Sequence, residues 1–288
     1  ALIQEQPHAE CGEASAKRLS CLRWLLEHGA NPELTGAWPP ARALLITAFQ
    51  GSRELAEVLR AGGALAGDGF VAAAFGDART IRRILAKDPD FASARDEGGL
   101  TALQCAAASR LDPSKTLVVA RLLLESGADA SAVTRGWDHD LDAAYFAAGS
   151  GQRELFELLL DHGVSSTSTL PTLLWKRHFE WAEGALQRGG VLDLAIDQGK
   201  PLLNQLIRWG QIEPALWMLS HGANPNLSDE RGWTAVHQAA SRGNVRILKA
   251  LLEAGGDPAR LDGERRTPWD VAEEMGQLKT MALLPTPR

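Results

Sequence analysis

Cysteine is scarce in this sequence, with three residues in 288, at positions 11, 21 and 105. Three thiols cannot form the dense disulfide framework of small secreted domains, and their spacing contains no Cys-x-x-Cys motif. Buried or partly buried free thiols are therefore expected. A bridge between Cys11 and Cys21 stays open as an alternative, and it requires export to an oxidising compartment.

Excess positive charge and long apolar runs are also lacking. The net charge is −6 and the isoelectric point is about 5.7, whereas a phosphate backbone selects clustered Lys and Arg, so no nucleic-acid partner is expected. No apolar run approaches the roughly 18 residues of a membrane-spanning helix, and no signal peptide is visible, so no membrane association is expected. We predict a cytoplasmic protein, with the periplasm or secretion as an effector as the alternatives.

Catalytic signatures are missing as well. The sequence has no Gly-x-Ser-x-Gly, no His-Glu-x-x-His and no phosphate-binding loop, since Gly199-Lys200 is followed by Pro201 and lacks the upstream glycine. No catalytic residue, metal or cofactor is therefore expected. Lysine supplies only 7 of the 30 basic residues, while Ala, Leu and Gly abound, which is typical of a GC-rich bacterial gene.

What the sequence does contain is a repeat, best formed over residues 229–261 (DERGWTAVHQAASRGNVRILKALLEAGGDPARL). Thr234 can cap a short helix with a small apolar face, and Gly243-Asn244 can form a turn that caps a second helix. The large apolar residues of that second helix fall at the i, i+1, i+4, i+5 spacing of a buried stripe. Gly255 occupies the left-handed position that ends a helix. The repeat is therefore helix, turn, helix and connecting finger.

The end of the second helix recurs through most of the chain as Leu-Leu-x-x-Gly or a variant of it. A period near 33 residues predicts an array of helical repeats that pack on their neighbours. The repeats end at Gly29, Gly62, Asp88, Gly127, Gly163, Gly189, Gly222 and Gly255.

Three repeats depart from the period in an informative way. Those ending at Asp88 and Gly189 follow their predecessors by 26 residues, and we predict that they keep both helices and lose the finger. The repeat ending at Gly127 is long, and its extra residues include a proline. We predict that Arg110–Lys115 forms a protruding loop between its two helices.

Three segments resemble the ankyrin repeat, namely Gly232–Ala240 (GWTAVHQAA), Gly99–Ala107 (GLTALQCAA) and Arg266–Ala272 (RTPWDVA). The resemblance covers essentially the whole chain. It implies an all-α fold, an ankyrin-repeat solenoid of about eight to nine helix–turn–helix units with β-turn fingers and two shortened units. We expect one domain over residues 1–288, with an irregular N-terminal cap at about 1–16 and a C-terminal capping repeat at about 262–284.

The histidines have structural interpretations. His28, His162 and His221 each precede the last residue of a repeat, where a His interacts favourably with the final carbonyl groups of a helix. They belong to distant repeats, and helices that pack about 8–10 Å apart cannot bring them to one metal ion. His237 occupies the His position of the ankyrin motif, and the resemblance implies a hydrogen bond between neighbouring fingers. The same position holds Gln104, Asn204 and Asp270 in other repeats.

One finger carries a compact polar cluster, Asp138, His139, Asp140 and Asp142. Carboxylates beside a His are the residue types of metal or acid–base chemistry. No nucleophile accompanies them and no second His is nearby in sequence, so an acidic, solvated finger tip is favoured. The alternative is an enzyme, or the recognition module of a larger enzyme, with a site near Asp138–Asp142.

The nine tryptophans are informative because several fall at positions that the family leaves free for partners. These positions are the finger tips and the two residues before the turn glycine. In ankyrin stacks the row of pre-turn residues lies on the concave face. Four of the eight pre-turn pairs contain Phe or Trp, where a merely soluble surface would carry polar residues. Trp24, Trp181, Trp217 and Trp269 lie within helices, where core packing is expected. The predicted partner-binding residues are Phe49, Phe75, Trp137, Trp175, Lys176, Lys200, Arg208, Trp209, Arg231, Trp233, Arg242 and Arg266.

Two interpretations of these residues stay open, a partner surface and structural burial of some of the rings. The first centres on Trp175, Arg208, Trp209, Trp233 and Arg242, which come from consecutive repeats. It predicts a monomeric, non-catalytic scaffold that binds a protein along its concave face and finger tips, with arginines selecting an acidic or carbonyl-rich partner. A toxin inhibitor or immunity protein and a host-directed effector are the roles that the bacterial composition suggests.

Overall fold

The computed structural model describes residues 11–34, 41–65, 67–135, 140–196 and 199–286, with side chains of the first helix from residue 16 onward. These ranges contain 17 α-helices and four two-residue strands. Strand β1 (Thr134–Arg135) pairs antiparallel with β2 (Asp140–Leu141), and β3 (Ala195–Ile196) pairs with β4 (Lys200–Pro201). The helices are α1 (Cys11–Glu27), α2 (Ala43–Gln50), α3 (Arg53–Ala61), α4 (Gly69–Ala74), α5 (Ala78–Lys87), α6 (Ala102–Ala108), α7 (Pro113–Glu125), α8 (Ala143–Ser150), α9 (Arg153–Asp161), α10 (Ser166–Trp175), α11 (Phe179–Gln187), α12 (Leu202–Arg208), α13 (Ile212–Ser220), α14 (Ala235–Ser241), α15 (Val245–Glu253), α16 (Pro268–Glu274) and α17 (Leu278–Met281).

The helices form two compact bodies. The N-terminal body, Ala1–Val164, contains α1–α9, and the C-terminal body, Ser165–Arg288, contains α10–α17. From α2 onward the helices follow one another as eight pairs, which confirms the predicted all-α class and helix–turn–helix organisation. The organisation as one domain over residues 1–288 stays a prediction.

Several first helices, among them α4, α6, α8 and α14, are short and rich in small residues, because they pack on neighbouring first helices. Helix α4 contacts α6, α6 contacts α8, and α14 contacts α16. The alanines on these surfaces, among them Ala73, Ala106 and Ala240, are fully buried. Small side chains let helix axes approach closely, and larger side chains of the second helices, such as Leu123 and Leu251, fill the remaining core.

The starts of α6, α14 and α16 are each held by a reciprocal cap. In α6 the Gln104 backbone N–H donates to the Thr101 hydroxyl (3.2 Å), and the Gln104 side-chain oxygen accepts from the Thr101 N–H (2.9 Å). Thr267 and Asp270 repeat the arrangement at α16, with the Thr267 N–H donating to the Asp270 carboxylate at 2.7 Å. Such boxes satisfy backbone donors that a helix leaves unpaired.

The same capping position also links neighbouring fingers. The Gln104 amide nitrogen donates to the carbonyl groups of Ala132 (2.9 Å) and Leu141 (3.0 Å). The Asn204 amide donates to the Trp233 carbonyl (2.8 Å), and His237 Nε2 lies 3.3 Å from the carbonyl oxygen of the next finger. The hydrogen bond between fingers that the ankyrin resemblance implied for His237 is therefore present.

The two shortened repeats have lost their fingers, as predicted. Four residues separate α9 from α10 and seven separate α3 from α4, whereas 14 residues separate α13 from α14. Both helices are kept in each shortened repeat. The C-terminal helices α16 and α17 lie within the predicted capping repeat.

The irregular N-terminal cap stays a prediction. Helix α1 begins at Cys11, so the backbone of residues 11–16 is helical, and residues 1–10 lie outside the described ranges. The Cys21 thiol is free. A single helix separates Cα atoms ten positions apart by about 15 Å, beyond the reach of a disulfide, so the Cys11–Cys21 bridge is excluded. Cys105 is free and buried, and burial raises the pKa of its thiol well above the usual range.

The prediction that Arg110–Lys115 forms a protruding loop is wrong. Helix α7 already begins at Pro113, because proline is favoured in a first helical turn and the Asp112 carboxylate caps the helix. The Arg110 N–H donates to the Ala48 carbonyl (2.9 Å), and its guanidinium donates to the Gly149 carbonyl (2.8 Å). These contacts hold the short remaining segment against α2 and α8, so it does not protrude.

Asp262 joins the last two fingers. Its Oδ1 accepts from the N–H groups of Glu264 and Arg266, both at 2.9 Å. Its Oδ2 accepts from the Arg266 guanidinium (2.9 Å) and from the Trp233 indole N–H (3.0 Å). Burial by itself would raise the pKa of Asp262, but the donors from Arg266 and Glu264 outweigh it, so the pKa is lowered. The charged carboxylate is therefore the form that links the fingers.

We expect Asp262→Ala to lower the free energy of unfolding by about 2–4 kcal/mol, because the buried Trp233 indole N–H loses its acceptor and the Arg266 guanidinium loses its buried partner, keeping only Glu264 and Glu274. Urea denaturation at neutral pH measures the change. Asp257→Ala is the matched control, since that exposed carboxylate accepts from Ala259 within its own loop, and we expect a loss under about 1 kcal/mol. Equal losses in the two variants would contradict the role of Asp262.

We expect His237→Gln to keep the fold and to make the free energy of unfolding less sensitive to acid. Burial lowers the pKa of His237, so the folded state binds a proton less readily than the unfolded chain, and stability falls as the pH drops below the unfolded value of about 6.5. The loss attributable to this residue is at most about 1.4 kcal/mol at a pH near 5.5. Glutamine fits, because Gln104 makes the equivalent contacts.

Urea denaturation of both proteins at pH values of about 7.5 and 5.5 tests the expectation. The Gln variant should lose less stability on acidification than the unmodified chain. An identical loss in the two proteins would show that His237 does not contribute to the acid sensitivity.

Candidate functional site

The turns between first and second helices carry most of the predicted partner-binding residues. In all eight helix pairs the last residue of the first helix belongs to the predicted pre-turn pair, from Gln50 of α2 to Glu274 of α16. In most pairs the helix stops there because a glycine follows in the left-handed region, as Gly210 (φ 71°) and Gly243 (φ 66°) do. Gln50, Trp175 and Glu274 at these helix ends are exposed, whereas Ala74 and Ala108 are buried.

Trp209 is the most exposed of the predicted aromatic residues in the C-terminal body. It caps α12 and is 63% exposed, and the Arg208 guanidinium carbon lies 5.7 Å from the centroid of its ring. Arg242 caps the neighbouring helix α14 and is also exposed. A cavity of about 440 Å³ lies between these turns and is lined by Ile207, Arg208, Trp209, Gly210, Ile212, Arg242 and Asn244.

The chemistry of this cavity favours an anionic or carbonyl-bearing ligand. Its charged lining groups are the Arg208 and Arg242 guanidiniums, and the lining within the described residues contains no carboxylate. A guanidinium can donate two parallel hydrogen bonds to a carboxylate. The Trp209 ring offers a flat surface for an apolar or aromatic group beside it.

Trp175 and Lys176 lie at the corresponding turn of the preceding helix pair. Trp175 ends α10 and is 38% exposed, and Lys176 is the exposed cap of that helix. Neither residue lines the cavity beside Trp209. The structure therefore brings together Arg208, Trp209 and Arg242, and it places Trp175 and Lys176 at a separate turn.

Sequence reasoning missed Arg177, which follows Lys176. It has a φ of 60°, in the left-handed region that the turn glycines of other pairs occupy. The available signal was an arginine at the position where most repeats have glycine. Asn244 was missed as well, because its capping role at α15 concealed its place beside Arg242 in the cavity lining.

The predicted aromatics of the N-terminal body are less accessible. Phe49 and Phe75 are half-buried at the ends of α2 and α4. The Arg60 guanidinium lies over the Phe75 ring, 4.3 Å from its centroid. A cation stacked on a ring in this way covers part of its face.

Trp233 does not have the exposure that a finger-tip residue was expected to have. Its side chain is 9% exposed, its indole donates to Asp262, and its ring is stacked on His237 with centroids 6.3 Å apart. The Arg231 guanidinium lies 4.6 Å from the ring centroid on the outside of the finger. The ring is buried because the next finger supplies its hydrogen-bond acceptor, a contact that the local sequence does not reveal.

The other predicted finger residues have mixed environments. Arg266 is held by Asp262, Glu264 and Glu274 in ion pairs of 2.9–3.2 Å. Arg231 is exposed and pairs with Asp229 at 3.4 Å, and Lys200 is half-buried in β4. Trp137 lies outside the described residues.

Three tryptophans within helices stack on a nearby histidine, and Trp181 does so on His178, three positions earlier. Trp24 and Trp217 stack on His28 and His221, with ring centroids 4.1 Å and 4.0 Å apart. The prediction of core packing is wrong for Trp24, which is 56% exposed. Trp181, Trp217 and Trp269 are half-buried.

The three histidines at second-helix ends contact the expected carbonyl groups. Nδ1 of His28, His162 and His221 lies 2.7–2.8 Å from the carbonyl oxygen four residues earlier. The same three carbonyl groups also accept the backbone N–H of the histidine, so each histidine closes the end of its helix with two contacts to one carbonyl.

The polar cluster near Asp138 is described only in part. Asp138 and His139 lie outside the described residues, and the Asp140 side chain is exposed on β2. Asp142 caps α8 by accepting from the Tyr145 N–H at 2.8 Å, and burial raises its pKa. A site near Asp138–Asp142 stays an untested alternative.

Ser220, His221 and Glu183 have the composition of a hydrolytic triad, but their hydrogen bonds do not activate a nucleophile. The Ser220 hydroxyl lies 3.1 Å from His221 Nδ1, and Glu183 Oε2 lies 2.8 Å from Nε2. Nδ1 is also 2.8 Å from the Trp217 carbonyl, a pure acceptor, so Nδ1 carries the proton. The imidazole therefore cannot accept the proton of Ser220, whose hydroxyl donates to the same carbonyl at 2.8 Å.

Within the described ranges, no group of three or more His, Cys, Asp or Glu residues is arranged to hold a metal ion. No described helix combines the length and the apolar character that crossing a membrane requires.

Known proteins share the repeat. A family profile described as "Ankyrin repeats (many copies)" matches residues 203–252. The chain is 39% identical over 75 residues, 26% of its length, to the transient receptor potential channel pyrexia of Drosophila melanogaster, of which the match covers 7%. It is 40% identical over 62 residues to a putative ankyrin repeat-containing protein of Treponema pallidum, covering 21% of each chain.

The fold is similar to that of a solved structure, the human ASB11 ankyrin repeat domain. The TM-score is 0.58 at 20% sequence identity, over 76% of this chain and 98% of that chain. The chain spans a smaller share of its curated relatives. The match covers 7% of the pyrexia channel and 32% of an ankyrin repeat-containing protein of Schizosaccharomyces pombe. The profile match shows ankyrin repeats within residues 203–252, and the relatives and the ankyrin-repeat fold agree with the repeat found in the sequence.

Proposed function

We propose that this chain is a non-catalytic scaffold that binds a protein partner through the helix turns of its C-terminal body. Ankyrin repeats are generally protein–protein interaction modules. The observation that carries the proposal is the exposed Trp209 ring beside Arg208 and Arg242 at one cavity. Trp and Arg are the residue types that most often dominate binding energy at interfaces.

The energetics favour Trp209 as an anchor. Covering a tryptophan ring removes a large apolar area from water, at roughly 25 cal/mol per Å². The ring lies at the cap of α12 beside the Arg208 guanidinium, which limits the conformational freedom that binding would remove. Trp175 and Lys176 extend the surface to the preceding turn, and Arg231 is an exposed cation on a finger.

Other predicted residues contribute less to the proposed surface. Trp233 and Arg266 are engaged in the link between the last fingers. Phe49 and Phe75 are half-buried and belong to the N-terminal body. Lys200 is half-buried on a finger hairpin. These residues are therefore secondary candidates for partner contact.

The biological role is proposed from composition. The Arg-rich, Lys-poor chain supports a bacterial source. In that setting a scaffold with a preformed surface would inhibit a toxin, act as an immunity protein, or engage a host protein as an effector. A monomer in the cytoplasm is the proposed form of the inhibitor.

We expect Trp209→Ala to weaken partner binding by at least about tenfold without lowering the melting temperature, because the ring is exposed in the free protein. The measurement is quantitative affinity capture from the native source, followed by titration of the captured protein. Trp24→Ala is the matched control, since that ring is similarly exposed but lies on α1. Capture of the same partners at the same yield by both variants would refute the proposed surface.

A further inference from the structure

The turns that end α10, α12 and α14 carry a local concentration of cations on an acidic protein. We define the basic turn surface as Trp175, Lys176, Arg177, Arg208, Trp209 and Arg242. None of its four cations forms an ion pair with another described residue. By contrast, Arg231 and Arg266 on the neighbouring fingers pair with Asp229 and Asp262. The cations of the turns are therefore available to an external anion.

This local charge opposes the net charge of −6 of the whole chain. Exposed charges interact over about 8 Å at physiological salt, so the nearest cations, and not the net charge, determine what binds at the turns. A long polyanion such as a nucleic acid would extend beyond the cations and meet the acidic remainder of the protein. A peptide segment with a few carboxylates would not.

Arg177 provides an independent observation at the same surface. Its N–H donates to the Leu174 carbonyl (3.1 Å) and the following N–H donates to the Leu173 carbonyl (2.8 Å). Gly210 closes the next turn in the same way, with its N–H at 3.0 Å from the Ile207 carbonyl. Arg177 therefore adopts a glycine geometry, with a φ of 60°, that is strained for a residue with a side chain. A strained cation at a turn is consistent with a binding role.

We propose that the basic turn surface binds an extended acidic peptide segment of the partner. A carboxylate of the segment lies between the Arg208 and Arg242 guanidiniums, and a neighbouring apolar or aromatic side chain packs on Trp209. Lys176 and Arg177 contact a second carboxylate. This inference rests on the proposed function and adds the chemical class of the partner.

The spacing of α12 and α14, which pack on each other, predicts the spacing of the carboxylates. Packed helices lie about 8–10 Å apart, and a polyproline II segment, in which every third side chain lies on the same face, advances about 3.1 Å per residue. One repeat therefore corresponds to about three residues of bound peptide. The preferred segment has an acidic residue at every third position, with an apolar residue between two of them.

The first test uses the full chain and a fluorescein-labelled peptide with Glu at every third position, Phe after each Glu, and Ser elsewhere. Fluorescence anisotropy at low and high salt measures binding. We expect binding that weakens with salt, and weaker binding of a peptide with the same composition whose Glu residues are clustered. No binding of either peptide, or tighter binding of single-stranded oligothymidylate, would overturn the inference.

The second test separates binding from folding with two matched variants. Arg177→Gly and Arg265→Gly each remove one cation from a left-handed position (φ 60° and 61°), the first at the turn and the second on a finger. Both should raise the melting temperature, because glycine relieves the strain. We expect Arg177→Gly alone to weaken peptide binding, by about threefold to fivefold. If both variants weaken peptide binding equally, the weakening comes from the lower positive charge of the protein and not from a local contact of Arg177.

A charge reversal supplies the last readout. Arg242→Glu should weaken binding of the Glu peptide by at least about tenfold and improve binding of the matching Lys peptide. If the Arg242→Glu variant prefers the Glu peptide over the Lys peptide as strongly as the unmodified chain does, the inference is overturned. If Trp209→Ala abolishes partner capture while the Glu peptide does not bind the unmodified chain, the turns bind a protein but not an acidic segment, and only this inference fails.

Discussion

The close approach of alanine-rich first helices is the constraint on which the rest of the structure depends. Ala73, Ala106 and Ala240 are fully buried between neighbouring helices, and a larger side chain at these positions would separate the helices. No helix pair can bury both of its faces alone, so its stability comes from its neighbours. The alanine contacts therefore set the spacing of successive turns and fingers within each body, and with it the spacing of any residues those turns and fingers present.

Polar residues at the helix starts complete this framework. Gln104 and His237 each cap their own helix with one atom and bond the next finger with another, so one side chain satisfies two sets of backbone groups. Trp233 is drawn into the same framework by Asp262. The turns that end α10, α12 and α14 are different, because Trp175, Trp209 and Arg242 remain exposed there. Exposed arginine and tryptophan can accumulate there with little effect on folding.

Much of the framework was predictable because it depends on local residues. The helix ends, the loss of two fingers and the contacts of the terminal histidines follow from caps, turn glycines and repeat length. Exposure was less predictable. Trp233 and Trp209 both flank a turn or finger glycine, yet one is buried and the other is exposed, because only Trp233 meets an acceptor from 29 residues further along the chain. For Arg110–Lys115, a proline that suggested a loop instead begins α7.

The sequence by itself determined the repeat, the helical class and the places where first helices end, since each depends on residues within about one helical turn of one another. It also placed Trp175, Lys176, Arg208, Trp209 and Arg242 at those ends. Only the tertiary structure decided which rings remain exposed, that Arg208 and Arg242 line one cavity with Trp209, and that Arg177 takes the place of a turn glycine. Exposure and convergence depend on side chains from neighbouring repeats, and their packing is settled only when the helix pairs are stacked.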